Sequence, residues 1–175
     1  MTGALLVAGP AVVAVGGGLA TLRWTFRAGV VAQAVGCAVL AVGGFWALFA
    51  DAELGAQFTS GFEPQVGVDA LSGFFLGVLG AIGAAALLFA FRYLAPGGRG
   101  RAIACLTAGF VLAQALVLVA RDPLTFLVAW EVMTLVPAAV ILVSRADAAA
   151  RQTVFTYVAL THLAGAGTWI AILLL

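Results

Sequence analysis

The sequence has no lysine, one histidine, two cysteines and little charge of either sign. Charged residues make up 9% of the chain and the net charge is +1, so no basic field suggests a nucleic-acid partner. Cys37 and Cys105 lie inside apolar runs and form neither a disulfide framework nor a CxxC metal motif. A single histidine without clustered ligands also makes a metal site unfavourable.

The chain likewise lacks the usual constellations of an enzyme. No nucleophile–base pair or phosphate-binding loop is evident, so we assign no catalytic residue and do not expect this chain to be catalytic alone. Nothing in it is suited to ligate haem or an iron–sulfur cluster, and we expect no cofactor in this chain.

Apolar residues dominate instead. They make up 65% of the 175 residues, and the mean hydropathy is +1.20, whereas ordinary soluble domains are close to half apolar. Six apolar runs are long enough to cross about 30 Å of hydrocarbon, and none shows strand-like alternation. The sequence therefore predicts an all-α integral membrane protein, a single membrane domain over 1–175 with spans at about 4–22, 28–50, 68–91, 102–120, 123–143 and 153–175.

The first run has no basic residue before it. A cleaved signal peptide carries a positively charged stretch there, so we expect the first run to be a retained span.

The arginines predict an orientation. Only Arg121 lies on the side of the second connector, which is acidic, and the first, third and fifth connectors carry all the others. By the positive-inside rule these basic connectors are cytoplasmic and both termini lie outside. We expect a multi-pass protein of the cell inner (plasma) membrane, oriented by Arg23, Arg27, Arg92, Arg99, Arg101, Arg145 and Arg151.

Glu131, in the stretch VAWEVM, is the sole charge in its apolar run. Counted from Pro123 it lies about 12 Å down a helix, where an ionised acid costs several kcal/mol unless it faces protein or a hydrated cavity. Trp130 is buried beside it, and Pro137 frees the carbonyl of Met133 and is expected to kink the helix. We therefore favour a role in which Glu131 gains and loses a proton. The alternative is a protonated acid that fixes the packing of the helices.

His162 is the second intramembrane candidate. It lies near the middle of the sixth run, and imidazole can pass a proton near neutral pH. The alternative, a neutral histidine bonded to a neighbouring helix, is nearly as well supported. Three features favour a relay role for His162: its depth in the span, the helix of Glu131 just before it, and a partly polar stripe on its own helix. The stripe comprises Tyr157, Thr161, Gly165 and Thr168.

Three further polar positions are weaker candidates. Gln114 could extend a polar line within the fourth span, although a packing bond between helices is the simpler interpretation. Asp69 is most simply an acid at the start of the third helix. Arg121 and Asp122 are interpreted as an interfacial pair, with Asp122 capping the fifth helix before Pro123.

Three stretches carry a family resemblance: VDALSGFF, LTFLVAWEVMTLVPAAVIL and TYVALTHLAGAGTWIAILLL. They resemble the antiporter-like membrane proteins of respiratory complex I, multisubunit sodium/proton antiporters and membrane-bound nickel–iron hydrogenases. The third pattern is most similar to the membrane proteins of the formate hydrogenlyase or hydrogenase-4 type. The resemblance runs over essentially the whole chain and implies that Glu131 belongs to a proton-translocating charge pair.

The chain departs from that family in two ways. The resemblance implies a lysine partner on a seventh helix, yet the sequence has no lysine and has only the first three helices of the family's five-helix module, from about residue 102 onward. We therefore expect partner membrane subunits in a multisubunit complex, one of them supplying a basic residue and the missing helices.

Three functions stay open. The first is a non-redox, proton-translocating subunit or fragment of an energy-converting oxidoreductase complex of the hydrogenase or NADH/quinone reductase type, with redox cofactors in other subunits. The second is a structural or anchoring membrane module in which Glu131 is a locked polar bond. The third is a small homo-oligomeric cation or proton transporter.

Overall fold

Six helices and one very short hairpin make up the fold in a computed structural model, which describes residues 2–174 apart from the side chain of Leu173. All six helices are long and apolar enough to cross a membrane, which indicates a multi-pass membrane protein. In chain order the elements are α1 (Thr2–Ala20), α2 (Phe26–Phe49), β1 (Leu54–Gly55), β2 (Gly67–Val68), α3 (Ala70–Tyr93), α4 (Gly98–Val119), α5 (Pro123–Ser144) and α6 (Ala148–Leu173).

Four helices begin earlier than their predicted spans, α1 and α2 by two residues and α4 and α6 by more. The fourth starts at Gly98 rather than near 102, directly after its N-cap Gly97. The sixth starts at Ala148 rather than near 153, because the carboxylate of Asp147 accepts a hydrogen bond from the backbone N–H of Ala150. The polar stretch after Asp147 also begins with three alanines, which are strong helix formers.

The first three helices form the tightest part of the molecule, with α2 packed between α1 and α3. Glycines allow this approach. A Cβ atom at Gly29 would collide with the backbone nitrogen of Ala20 on α1, and one at Gly44 would collide with the backbone nitrogen of Gly77 on α3. Only the missing side chains let these backbones come so close.

The buried core lies among α1 to α4. Its largest cluster joins side chains from all four helices, whereas α5 and α6 contribute none of its buried members. α5 packs against α4, and α6 packs mainly against α5. The buried members of the cluster include Val13, Val30, Cys37, Leu87 and Val111.

The segment between α2 and α3, residues 50–69, forms a strap across one end of the bundle. Its two strands pair antiparallel, Leu54 with Val68 and Gly55 with Gly67. The strap also binds the α4–α5 turn: the N–H of Thr59 donates to the carbonyl of Arg121 at 2.9 Å, and the N–H of Arg121 donates to the carbonyl of Gln65 at 2.9 Å. We call this end the strap face and the opposite end, which carries the other arginines, the arginine face.

Candidate functional site

Glu131 is positioned by the start of α5. Asp122 caps this helix by accepting a hydrogen bond from the N–H of Thr125 at 2.8 Å, and Pro123 occupies its first turn, as predicted. Glu131 therefore lies about 12 Å from the strap-face end at 1.5 Å per residue. The α-helix continues without a break through Pro137.

The face of α6 that meets Glu131 presents two nitrogen atoms to its carboxylate. His162 Nε2 lies 3.0 Å from Glu131 Oε2. Trp169 Nε1 donates a hydrogen bond to Glu131 Oε1 at 3.3 Å. Gly165 lies between the two on the same face, and a Cβ placed there would be 3.6 Å from Oε1. Both carboxylate oxygens therefore have a partner on α6.

The position of the Val158 carbonyl shows which ring nitrogen of His162 carries a hydrogen. Its Nδ1 lies 2.9 Å from the carbonyl oxygen of Val158, which can only accept a hydrogen bond, so Nδ1 carries a hydrogen. In the neutral imidazole Nε2 then has a lone pair and no hydrogen. A hydrogen bond between Nε2 and Glu131 Oε2 requires one further proton, which resides on either the carboxyl group or the imidazole.

The site is only partly enclosed. The side chain of Glu131 is 26% exposed and that of His162 is 41% exposed. Most residues of α6 are exposed along the same length of helix. The pair therefore has one flank that the described helices do not cover.

The neighbouring predicted residues take different positions. Trp130 lies beside the pair, with Nε1 about 4.0 Å from a Cβ built at Gly165, and its ring packs near that of Phe126. The hydroxyl of Thr161 donates to the carbonyls of Tyr157 and Val158 within its own helix. No described hydrogen bond connects Thr161 or the Tyr157 hydroxyl to Glu131, so among residues 2–174 the pair is extended by Trp169 instead.

Gln114 does not reach the Glu131–His162 pair through any described hydrogen bond. It lines a cleft of about 440 Å³ between α3 and α4, to which α5 contributes Met133. Thr107 is the other polar side chain in this lining, and its hydroxyl is bonded to the carbonyl of Ile103. The structure therefore places Gln114 in a separate, mainly apolar cleft.

Asp69 lies at the strap face, away from the pair. Its side chain accepts a hydrogen bond from the N–H of Ser72 at 2.7 Å at the start of α3, as predicted for a helix-start acid. That bond, with the nearby Arg121 guanidinium, holds the pKa of Asp69 below its usual range. Asp69 is therefore ionised at neutral pH.

The prediction that Arg121 pairs with Asp122 is wrong. Arg121 Nη2 lies 3.2 Å from Asp69 and donates to the hydroxyl of Ser72 at 2.9 Å. Asp122 is buried and accepts from the N–H of Gln65 in the strap at 2.7 Å, besides capping α5. Burial alone would raise the pKa of Asp122, but the hydrogen bonds from Thr125 and Gln65 outweigh it and the pKa is lowered.

Trp169 is the site residue that sequence reasoning missed. It follows His162 by seven positions, which is about two helical turns and places both on one face. That spacing was available in the sequence, although an indole in an apolar span is more often a packing residue.

Comparison with known proteins gives no relative. The chain matches no protein-family model, no curated protein and no solved structure. Within the described residues no group of three or more histidine, cysteine, aspartate or glutamate side chains could hold a metal ion. The function is therefore inferred from the chemistry of the Glu131–His162 pair.

Proposed function

We propose that the chain is a non-redox, antiporter-like membrane subunit that moves protons within an energy-converting oxidoreductase complex of the inner (plasma) membrane. The observation that carries this proposal is the 3.0 Å contact between His162 Nε2 and Glu131 Oε2, well inside two membrane-length helices. A carboxyl group and an imidazole at that distance can exchange a proton directly, because each can act as donor or acceptor.

The proposed mechanism uses the single proton between the two groups. In one state Glu131 is protonated and His162 is neutral; in the other Glu131 is a carboxylate and His162 an imidazolium. Trp169 donates to Glu131 Oε1 in both states, and its hydrogen bond is stronger when the carboxylate is charged. A charge brought close to the pair would favour one state over the other and move the proton between the two side chains.

The exposed flank of the Glu131–His162 pair supports the proposal of a partner subunit. α6 packs mainly against α5, yet it carries an imidazole that is 41% exposed at membrane depth. In a membrane such a flank is satisfied when other helices or enclosed water cover it. We propose that a partner membrane subunit does so and supplies the basic residue that the chain, lacking lysine, does not have.

The test is Glu131→Gln, which keeps the shape of the side chain and removes its charge. In the natural complex, proton uptake into inverted membrane vesicles is expected to fall by at least about tenfold, while the subunits that co-purify with the chain stay the same. Glu63→Gln is the matched control, since Glu63 is exposed in the strap. Equal proton uptake in both variants would sink the proposal.

One observation favours a structural role as the second candidate. Both oxygens of Glu131 are already bonded to α6, an arrangement that also serves to lock α5 and α6 together. Under this alternative Glu131→Gln leaves proton uptake unchanged and weakens only the assembly or stability of the chain.

A further inference from the structure

The arginine face carries a large excess of positive charge. Its three connectors and the adjoining helix ends carry every arginine of the chain except Arg121, and Asp147 is the one acid among them. All of these arginines except Arg101 are exposed. A surface of this kind at the end of a membrane-length bundle attracts anionic groups.

Arg101 is held by a hydrogen bond to the end of another helix. Its Nη1 donates to the carbonyl of Thr21 at 3.1 Å, which ties the start of α4 to the end of α1. Its Nε is buried and has no hydrogen-bond partner among the described residues. The guanidinium is therefore held at Nη1, and its Nη2, which is not buried and makes no described hydrogen bond, is the group that can donate to a phosphate.

A groove of about 480 Å³ lies beside this guanidinium. Thr21, Gly98 and Arg101 line one end of the groove, and nearly all of its lining is apolar. Ala102, Cys105 and Leu106 follow along α4 and share one helical face, forming an apolar wall that extends away from the arginine face toward the middle of the bundle. A Cβ at Gly98 would meet open space, so nothing in the described chain fills this end of the groove.

We infer that this groove binds an anionic phospholipid. Its phosphate would contact Arg101, and one acyl chain would lie along Ala102, Cys105 and Leu106. An apolar groove that ends at Arg101 on a face rich in arginine, on a helix of membrane-crossing length, fits an amphiphile with a negative head. A soluble anion would leave the wall uncovered. The inference is independent of proton transfer at Glu131.

Native mass spectrometry of the purified full chain tests the site, using phosphatidylglycerol and phosphatidylcholine with identical acyl chains. The wild type is expected to retain phosphatidylglycerol in preference to phosphatidylcholine. Arg101→Gln, which keeps a donor for Thr21, is expected to lower that retention about fivefold, the effect of removing one arginine near an anionic headgroup. Arg145→Gln is the matched control, because Arg145 is exposed on the same face and does not line the groove.

A second variant tests the apolar wall without touching the charge. Cys105→Phe fills the groove and is expected to reduce retention of phosphatidylglycerol while Arg101 is intact; it also carries the test should Arg101→Gln fail to fold. Equal losses in Arg101→Gln and Arg145→Gln would show diffuse attraction to the whole face and overturn the site. So would unchanged retention in Cys105→Phe, or displacement of the lipid by millimolar inorganic phosphate.

Discussion

The contacts among the first three helices differ in kind from those between the last two. In α2, 56% of the most apolar stretch is buried inside the bundle, compared with 6% in α6. Glycines bring α1, α2 and α3 into backbone contact, whereas the hydrogen bonds that join α5 to α6 come from the side chains of Glu131, His162 and Trp169. We call α1 to α3 the tight half, which close packing holds together. We call α5 and α6 the open half, which polar side-chain contacts join.

This difference shows where the molecule can change state. Closely packed backbones cannot move relative to one another without opening voids, so α1 to α3 serve as a rigid frame. The α5–α6 pair has few packing contacts to lose and a titratable contact at its centre. Regions with few buried contacts are also those that open most readily.

The largest expected effect on stability is in the rigid frame, α1 to α3. Gly29→Val places side-chain atoms against the backbone of α1 and is expected to lower stability by about 3 kcal/mol or more. Gly167→Val on α6 is the control, because a Cβ there meets nothing within 4 Å. Thermal unfolding in mild detergent should separate the two variants, and similar melting temperatures would contradict the contrast between the two halves.

A smaller effect is expected at the strap face. Asp122→Ala removes the cap of α5 and leaves the partly buried N–H of Gln65 without its acceptor, at a cost of about 2 kcal/mol. Asp147→Ala removes only the cap of α6, which is exposed, and should cost about 1 kcal/mol or less. Denaturant midpoints measure both, and limited proteolysis within residues 50–69 should accelerate in the first variant alone.

The smallest effect on stability is expected in the open half, α5 and α6. Trp169→Phe keeps an aromatic ring but removes the N–H that donates to Glu131, and the partly exposed bond is worth about 1 kcal/mol. Trp24→Phe is the control, since that indole is 93% exposed. A double-mutant cycle with Glu131→Ala, which removes the acceptor oxygen, should show coupling between Trp169 and Glu131; additive effects would mean that the bond is absent in the folded protein.

Much of the fold was accessible from the sequence. The number and order of the helices follow from the apolar runs, and the start of α5 follows from the Asp122–Pro123 pair, because capping depends on local residues. The strap did not follow. Its strands are two residues long, and its attachment to the α4–α5 turn depends mostly on backbone groups, which any sequence possesses.

The site was only partly accessible for a related reason. Composition and depth singled out Glu131 and His162, but their contact depends on how α5 and α6 are rotated about their axes, which helix packing sets. The same limit explains Arg121: its neighbour in sequence, Asp122, points to the strap, and its ion-pair partner Asp69 comes from a distant part of the chain.

The strap has a mechanical consequence for α5. Asp122 and Arg121 attach the first turn of that helix to residues 59 and 65, and through Asp69 and Ser72 to α3, so this end is a fulcrum. A rigid rod anchored at one end moves least near the anchor. When α5 tilts, its anchored end shifts little, while the far end, which leads into α6, sweeps a longer arc. A tilt of α5 relative to α6 would therefore change the distance between Glu131 and His162, which is 3.0 Å here.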